Sequence, residues 1–366
     1  MNPIRVGITH GDINGVSYEV IIKALADDGI TDLFTPVVFG IPSIFEKAKE
    51  DFDYKNLKVN AVKDFSQIKD GIINLFALNK NDIKLNPGKI DKEAGESAVE
   101  ALEIAVSALK NGEIDVLVTA PISKEAVQSE KFRFPGHTEF LTESIGQGNE
   151  AMMILCNDSL RVALLTVHVP ITKISENITE DKIVEAVEKF ASTLKKDFGI
   201  VRPTIAVLSL NPHAGDGGLL GVEEEEIIKP SIERLINNGY LAFGPFPADG
   251  FFGHGSYKNF DGVLAMYHDQ GLAPFKTIAS SGGVNFSAAL PFVRTSPDHG
   301  TAFDIAWKGI ADPSSMRDAI YLAIDIFRRR KSFEEANANP LQKFIHERPE
   351  KSERHERFNL NQETDD

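Results

Sequence analysis

The sequence predicts an α/β protein, and three observations support that prediction. Short apolar runs of strand length alternate along the chain with longer amphipathic segments of helical periodicity. Several of the apolar runs end abruptly in polar residues, as strands do at the carboxyl edge of an open sheet. The repeated order of strand, helix and strand implies a parallel sheet with right-handed crossover connections.

The composition of the 366-residue chain, with 25% charged and 42% hydrophobic residues, is that of an ordinary globular protein. The formal net charge of −15 argues against nucleic acid and anionic membranes as partners, because the electrostatic interaction would be repulsive overall. The single cysteine, Cys156, lies in an apolar run and is predicted to be a small buried hydrophobe. No apolar run reaches the roughly 18–20 residues of a membrane span, and no signal-peptide pattern is visible. We therefore expect a cytoplasmic protein.

The elements before the middle of the chain follow from apolar patterning. The first strand runs into a turn that contains Gly11, Asp12 and Asn14, all of which are common turn residues. The clearest amphipathic helix keeps its apolar positions in helical register. The predicted strands lie at residues 4–9, 36–40 and 114–119, and the predicted helices at 17–25, 43–49 and 91–110.

Three later apolar runs each lead to a histidine. Residues 161–167 precede His168, residues 204–210 lead to His213, and residues 262–266 lead to His268. Three imidazoles at one sheet edge would suit a catalytic divalent metal with an open position for water or substrate. A single histidine after a strand is more often a hydrogen-bonded loop residue, and these three lie too far apart for a local metal motif. Only the fold could bring them together.

Two further patterns indicate an anion site. Gly136 before His137 and Thr138 predicts a helix start with free backbone N–H groups, although a capped helix with a surface histidine fits the same pattern. Lys276, Asn285 and Arg294 together offer an ammonium, an amide and a guanidinium, which would bind phosphate or carboxylate. Each of them alone is more often a surface charge or a loop hydrogen bond.

Two segments are predicted to carry no cofactor or catalytic chemistry. The glycine-rich stretch at 215–221 fails the spacing of a dinucleotide-binding loop. Residues 315–330 are predicted to form the final helix, and the polar tail beyond about residue 340 is predicted to be poorly ordered.

Five motifs of the chain, in order, resemble those of the 4-hydroxythreonine-4-phosphate dehydrogenase family of pyridoxal-phosphate biosynthesis. The motifs are residues 134–139, 168–170, 210–215, 265–272 and 294–302. The resemblance implies an isocitrate/isopropylmalate dehydrogenase-like α/β/α fold with two lobes and an active site at a homodimer interface. The implied first lobe is 1–125 plus 275–345, with a cofactor-side segment at 294–313; the second lobe is 126–274, and the tail is 346–366.

The resemblance also implies the residues of the site. A divalent metal ion (zinc, magnesium or cobalt) would be held by His168, His213 and His268, in a site completed by the dimer partner. The phosphorylated substrate would contact His137, Thr138, Lys276, Asn285 and Arg294. NAD, or NADP, would bind through His299, Gly300, Thr301, Ala302, Asp304 and Asp312. The candidate catalytic residues are His137, Lys276, Asp249 and Asp269.

The implied reaction is NAD-dependent, metal-dependent oxidation of 4-(phosphooxy)-L-threonine with decarboxylation to 3-amino-2-oxopropyl phosphate, in pyridoxine 5'-phosphate biosynthesis. Relatives in the same family act on phosphorylated four-carbon sugar acids such as erythronate or threonate phosphate, and that alternative stays open. A phosphate acyltransferase on the same fold is an alternative of a different class. Two departures from the family pattern stand out: the turn between Gly11 and Glu19 lacks the usual prolines, and Trp307 stands where related sequences usually carry glycine.

Overall fold

The structure is a computed structural model that describes residues 3–27, 29–78, 83–129, 132–134, 136–279 and 282–339. Within these residues, no helix is long and apolar enough to cross a membrane. The tail predicted at 346–366 lies outside the described residues.

One large sheet runs through the described part of the chain. Its strand order is β3-β4-β2-β1-β5-β12-β11-β6-β7-β10-β8-β9. The strands are β1 Arg5–Thr9, β2 Thr35–Gly40, β3 Val59–Val62, β4 Ile73–Ala77, β5 Val116–Thr119, β6 Met152–Cys156, β7 Arg161–Leu164, β8 Thr204–Leu208, β9 Leu241–Phe246, β10 Gly262–Ala265, β11 Val284–Ala288 and β12 Arg294–Pro297.

The predicted parallel sheet is correct for both flanks and wrong for the centre. β11 runs antiparallel to β12 and to β6, and β6 runs antiparallel to β7. A short turn explains the last pair, because Asn157 accepts hydrogen bonds from the backbone N–H groups of Ser159 and Leu160 and so closes a hairpin. Antiparallel strands can be joined by such a turn, whereas a parallel pair needs a long crossover.

The helices agree closely with the apolar patterning. Asp91 caps the long fourth helix by accepting from the N–H groups of Glu93 and Ala94, and Thr179 caps the seventh by accepting from that of Lys182. The helices are α1 Ser17–Leu25, α2 Ile30–Leu33, α3 Pro42–Asp51, α4 Lys92–Lys110, α5 Lys124–Val127, α6 His137–Ile145, α7 Glu180–Lys196, α8 Lys229–Asn237, α9 Ala248–Gly253, α10 His268–Ala279 and α11 Ser314–Asn337.

The core lies on both faces of the sheet. Every residue of β2, β5 and β10 is buried, as expected for strands covered by helices on both sides. The predicted α/β fold is therefore confirmed. The first part of the sheet comes from the segments predicted as the first lobe and contains β3, β4, β2, β1, β5, β12 and β11. The rest comes from the segment predicted as the second lobe and contains β6, β7, β10, β8 and β9. The lobe boundaries themselves stay a prediction.

Candidate functional site

The three histidine-bearing strands are neighbours in the sheet. β10 pairs in parallel with β7 on one side and with β8 on the other. Their carboxyl ends therefore share one edge, where His168, His213 and His268 follow. All three rings are at least partly accessible to solvent. This placement agrees with the edge predicted from the sequence.

Two of these histidines approach each other. The ring centroids of His168 and His268 are 6.3 Å apart, and the rings are tilted by 35°. The Nδ1 atom of His268 lies 3.0 Å from a carboxylate oxygen of Asp269. A carboxylate on one ring nitrogen is the usual support for a histidine that binds a metal through the other nitrogen. The residues present therefore fit part of a divalent-metal site.

His213 lies in a turn with an unusual backbone. Residues 213–217 all have positive φ angles, including the non-glycine residues His213, Ala214 and Asp216. Glu224 is fully buried and accepts hydrogen bonds from the backbone N–H groups of Leu210 and Asn211, which fixes the start of this turn. Within the described residues, no three His, Cys, Asp or Glu side chains are arranged to hold a metal ion. One chain thus brings together two of the three predicted ligands.

A cavity of about 320 Å³ lies beside the histidine pair. It is lined by four of the five predicted substrate residues, by one predicted metal ligand and by two predicted cofactor residues. These seven are His137, Thr138, Asn285, Arg294, His168, His299 and Gly300. The fold therefore places most of the predicted site around one space.

Arg294 dominates the chemistry of this cavity. Its side chain is buried, and its guanidinium donates to the hydroxyls of Thr119, at 2.6 and 3.1 Å, and of Ser287, at 3.0 Å. A further contact to the Thr138 hydroxyl is 3.5 Å long. In the described part of the chain, no ion pair joins Arg294 to a carboxylate. Burial lowers the pKa of Arg294 to about 10, so the group remains cationic at neutral pH.

The groups around Arg294 favour an anionic ligand. Burial and the nearby Arg294 charge hold the pKa of His137 well below its usual value, so this ring is neutral near pH 7. His137 begins α6, and its N-cap Gly136 offers no side-chain cap; free N–H groups at a helix start attract anions. The buried Oδ1 of Asn285 and Nε2 of His299 have no hydrogen-bond partner among the described residues. The cavity thus holds a buried guanidinium that makes no direct ion pair within the described residues, together with polar atoms that lack partners; Glu139 lines the same cavity and favours the charged form of Arg294.

Lys276 lies in an adjoining cavity of about 300 Å³. Its Nζ atom is 3.5 Å from a carboxylate oxygen of Asp298, and Asp298 and His299 line both cavities. Burial raises the pKa of Asp298. Lys276 is therefore beside the Arg294 cavity, separated from it by the backbone that follows β12.

The remaining predicted residues divide into two groups. Asp249 lines a different cavity, of about 530 Å³, near the end of β8. The predicted cofactor residues from His299 to Asp312 lie on the irregular segment between β12 and α11. Asp312 accepts hydrogen bonds from the N–H and hydroxyl groups of Ser314, which lower its pKa. Asp312 thus shapes the entry into α11.

Sequence reasoning missed Thr119 and Ser287. Both hydroxyls hold the guanidinium of Arg294, and neither residue was among the predicted site residues. The signal for Thr119 was present, since it is a polar residue at the end of an apolar strand, as the three histidines are. Ser287 could have been found from strand alternation, because it shares a face of β11 with Asn285.

Comparisons with known proteins identify the family of the chain. Residues 32–323 match the family model described as "Pyridoxal phosphate biosynthetic protein PdxA". A 4-hydroxythreonine-4-phosphate dehydrogenase of Bacteroides thetaiotaomicron is 49% identical over 353 residues, which cover 96% of this chain and 97% of that protein. A D-threonate 4-phosphate dehydrogenase of Cupriavidus necator is 38% identical, covering 89% of this chain and 98% of its own.

A solved structure shows the same fold. The crystal structure of 4-hydroxythreonine-4-phosphate dehydrogenase from Klebsiella pneumoniae is 33% identical and superimposes with a TM-score of 0.77, covering 89% of this chain and 98% of that one. The family model and these relatives span nearly all of the chain's described length. The family predicted from the motifs is thereby confirmed: the chain belongs to the PdxA family of 4-hydroxythreonine-4-phosphate dehydrogenases.

Proposed function

We propose that the protein oxidises 4-(phosphooxy)-L-threonine with a nicotinamide cofactor and a divalent metal ion, and that decarboxylation then gives 3-amino-2-oxopropyl phosphate. The observation that carries this proposal is the buried Arg294 guanidinium, which has only hydroxyl partners in the described structure and faces the cavity beside the histidine pair. A substrate phosphate would give the guanidinium a direct, charged hydrogen-bond partner. The Bacteroides relative, at 49% identity, favours this substrate.

The protein's own residues have distinct parts in this scheme. Arg294, Thr138 and the first turn of α6 bind the phosphate and orient the substrate, which lowers the entropic part of the barrier. Neutral His137 donates a hydrogen bond to a phosphate oxygen or to the substrate. Lys276, which lies beside Asp298, would move a proton to or from the reacting carbon or oxygen.

The metal ion would lie at the histidine pair. His168 and His268 would hold it, with Asp269 orienting the second ring. We propose that His213 is the third ligand and comes from a second copy of the chain, which makes the protein a homodimer. When bound, the metal supplies Lewis acidity at the substrate hydroxyl and the nicotinamide supplies hydride acceptance. Asp249, which lines a cavity separate from the Arg294 cavity, is proposed as a proton relay.

The cofactor and the cellular location are parts of the same proposal. The segment from His299 to Asp312 would bind NAD, with NADP as the alternative. Its first two residues line the Arg294 cavity, which brings a bound cofactor next to the substrate. We also propose a cytoplasmic location, since the acidic composition and the metabolic reactions named for the relatives both fit it.

A second candidate substrate is threonate or erythronate phosphate. The Cupriavidus relative, a D-threonate 4-phosphate dehydrogenase, is 38% identical to this chain over 89% of its length. The two substrate types carry the same phosphate and differ at the second carbon, where an ammonium group replaces a hydroxyl. The Arg294 cavity would accept the phosphate of either one.

A substrate panel tests the proposal. Formation of reduced nicotinamide is followed with each phosphorylated acid, with NAD or NADP, in metal-replete and in chelated protein. We expect activity on the amino acid that is lost with chelator, with His168→Ala and with His268→Ala, and retained with His254→Ala, a control at an exposed histidine. If only the sugar acids are oxidised, the proposed substrate, 4-(phosphooxy)-L-threonine, is wrong. If the nicotinamide is not reduced and the protein instead transfers acyl groups, the proposed dehydrogenase activity is wrong.

A further inference from the structure

We propose that Trp307 is a positioning residue for the nicotinamide cofactor, because it holds the segment between β12 and α11 against the turn that follows β1. This inference rests on the proposed function, since it takes residues 299–312 as part of the cofactor site. The segment contains turns and no helix or strand. Its shape must therefore come from contacts with the rest of the chain.

The backbone of Trp307 is strained. Its φ angle is +60°, in the left-handed region that costs a residue other than glycine roughly 1–2 kcal/mol. Such a conformation persists only where surrounding contacts impose it. An aromatic residue at this position therefore has to be held in place by its side chain.

Two contacts hold the indole. Its Nε1–H donates to the carbonyl of Ile13 over 2.8 Å, and its ring packs on Phe52 with centroids 5.3 Å apart and a tilt of 39°. A hydrogen bond and an aromatic pair each contribute roughly 0.5–1.5 kcal/mol, which together offset the backbone strain. Ile13 lies in the turn after β1, so the indole joins this turn to the segment.

Both ends of the segment are fixed by other contacts. Near its start, the carbonyl of Thr301 accepts from the N–H of Val16 at 3.0 Å. A Cβ atom on Gly15 would come within 2.6 Å of the same Thr301 carbonyl oxygen. The turn and the segment therefore touch backbone to backbone at this point, without room for a side chain.

Near its end, the backbone of the segment is hydrogen-bonded to two residues of α1. Glu19 is buried and accepts from the backbone N–H groups of Ala311, at 2.6 Å, and Gly309, at 3.3 Å. Lys23 pairs with Glu19 and donates to the carbonyls of the same two residues, at 2.8 and 2.9 Å. Residues 302–308 thus span two fixed points, and Trp307 adds a hydrogen bond and a ring contact between them.

This arrangement predicts what loss of the indole does. Without it, residues 302–308 keep their local turns and the packing of Ala302 and Ile305 on the core, but lose the hydrogen bond to Ile13 and the ring contact with Phe52. The predicted cofactor residue Asp304 lies in this stretch. The Arg294 cavity and the histidine pair do not depend on the indole. A change at Trp307 should therefore weaken cofactor binding and leave substrate binding intact.

The experiment compares Trp307→Gly and Trp307→Phe with the wild type. Calorimetry gives the Kd of reduced nicotinamide without turnover, and steady-state kinetics give both KM values. We expect Trp307→Gly to raise the cofactor Kd and KM about tenfold, which corresponds to about 1.4 kcal/mol, with kcat and substrate KM within about twofold. Trp307→Phe, which retains the ring packing, should lie between the two. The melting temperature should fall only in part, because glycine relieves the left-handed strain while the core packing of the indole is lost.

The outcomes separate this inference from the proposed function. Trp307 is the only tryptophan of the chain, so its emission in the wild type should fall saturably as reduced nicotinamide binds. If the wild type binds and uses the cofactor but Trp307→Gly has the same Kd, the positioning role is wrong and the function stands. If Trp307→Gly raises both KM values equally, the indole has a general structural role and the inference is also wrong. If the wild type binds neither reduced cofactor, both proposals fail.

Discussion

Replacement of Thr119 by valine tests the phosphate site most directly. Valine has nearly the shape of threonine, so the fully buried position at the end of β5 stays filled. The change removes one hydroxyl oxygen, which accepts from both Nε and Nη2 of Arg294. The guanidinium is then held by Ser287 and by the longer Thr138 contact alone.

The magnitude follows from those two contacts. A hydrogen bond to a charged group contributes roughly 1.5–3 kcal/mol, and a donor left buried without an acceptor costs a similar amount. Because the remaining hydroxyls still hold the other side of the fork, we expect a loss of about 2 kcal/mol in unfolding free energy. We expect the KM of the phosphorylated substrate to rise about tenfold, since a turned guanidinium no longer meets the phosphate in two-pronged geometry.

The assay measures thermal unfolding and the KM of the phosphorylated substrate for Thr119→Val, with Thr119→Ser as the matched control. Serine keeps the hydroxyl and loses only a methyl group, so the KM of that variant should stay near the wild-type value. A valine variant that binds phosphorylated substrate as well as the wild type would show that Thr119 does not orient Arg294. A serine variant as impaired as the valine variant would assign the effect to packing.

Two further predictions concern stability. Asp197→Asn should lower the free energy of unfolding, measured by chemical denaturation, by about 3 kcal/mol, because it breaks a buried ion pair with Arg330 whose two hydrogen bonds are 2.7 and 2.9 Å long. The control is Asp325→Asn, which breaks an exposed ion pair and should have little effect in the same measurement. Burial lowers the pKa of His10 to about 4. As the pH falls below 6.5, His10 is therefore protonated in the unfolded chain but stays neutral in the folded chain, which lowers the free energy of unfolding. His10→Phe removes this pH dependence, so its free energy of unfolding should rise relative to that of the wild type by about 3 kcal/mol between pH 7 and pH 4. If the difference in free energy of unfolding between variant and wild type is the same at both pH values, His10 is not a buried neutral histidine.

The parts of the fold that follow from local chemistry could be predicted from the sequence. β1, β2, β7, β8 and β10 start within a residue of the predicted positions, because strands covered on both faces are uninterrupted apolar runs. The helix predicted at 91–110 begins at Asp91, which is the N-cap of α4. The edge that carries the three histidines followed from the same patterning.

Other features depend on information that a local pattern does not contain. The antiparallel centre of the sheet depends on which strands pair, and an apolar run such as β6 suits either direction. The positive φ angles at His213, Ala214 and Asp216 belong to a turn whose start is fixed by hydrogen bonds to the buried Glu224, which lies further along the chain than a local pattern reaches. Trp307 was visible as an unusual residue, but its role required the position of Ile13.

Strand β12 links the two halves of the proposed chemistry. Arg294 begins it, and Asp298 and His299 follow its end at Pro297. A strand rises about 3.3 Å per residue, which separates the Cα atoms of Arg294 and Pro297 by about 10 Å; the proposed cofactor segment begins two residues later, at His299. β12 is fixed on both sides, by β5 and β11, so this separation cannot adapt to the ligand. In the proposed scheme, the distance from Arg294 would therefore determine which substrate carbon lies at the histidine pair and the cofactor, and other residues would have to recognise the group on the second carbon.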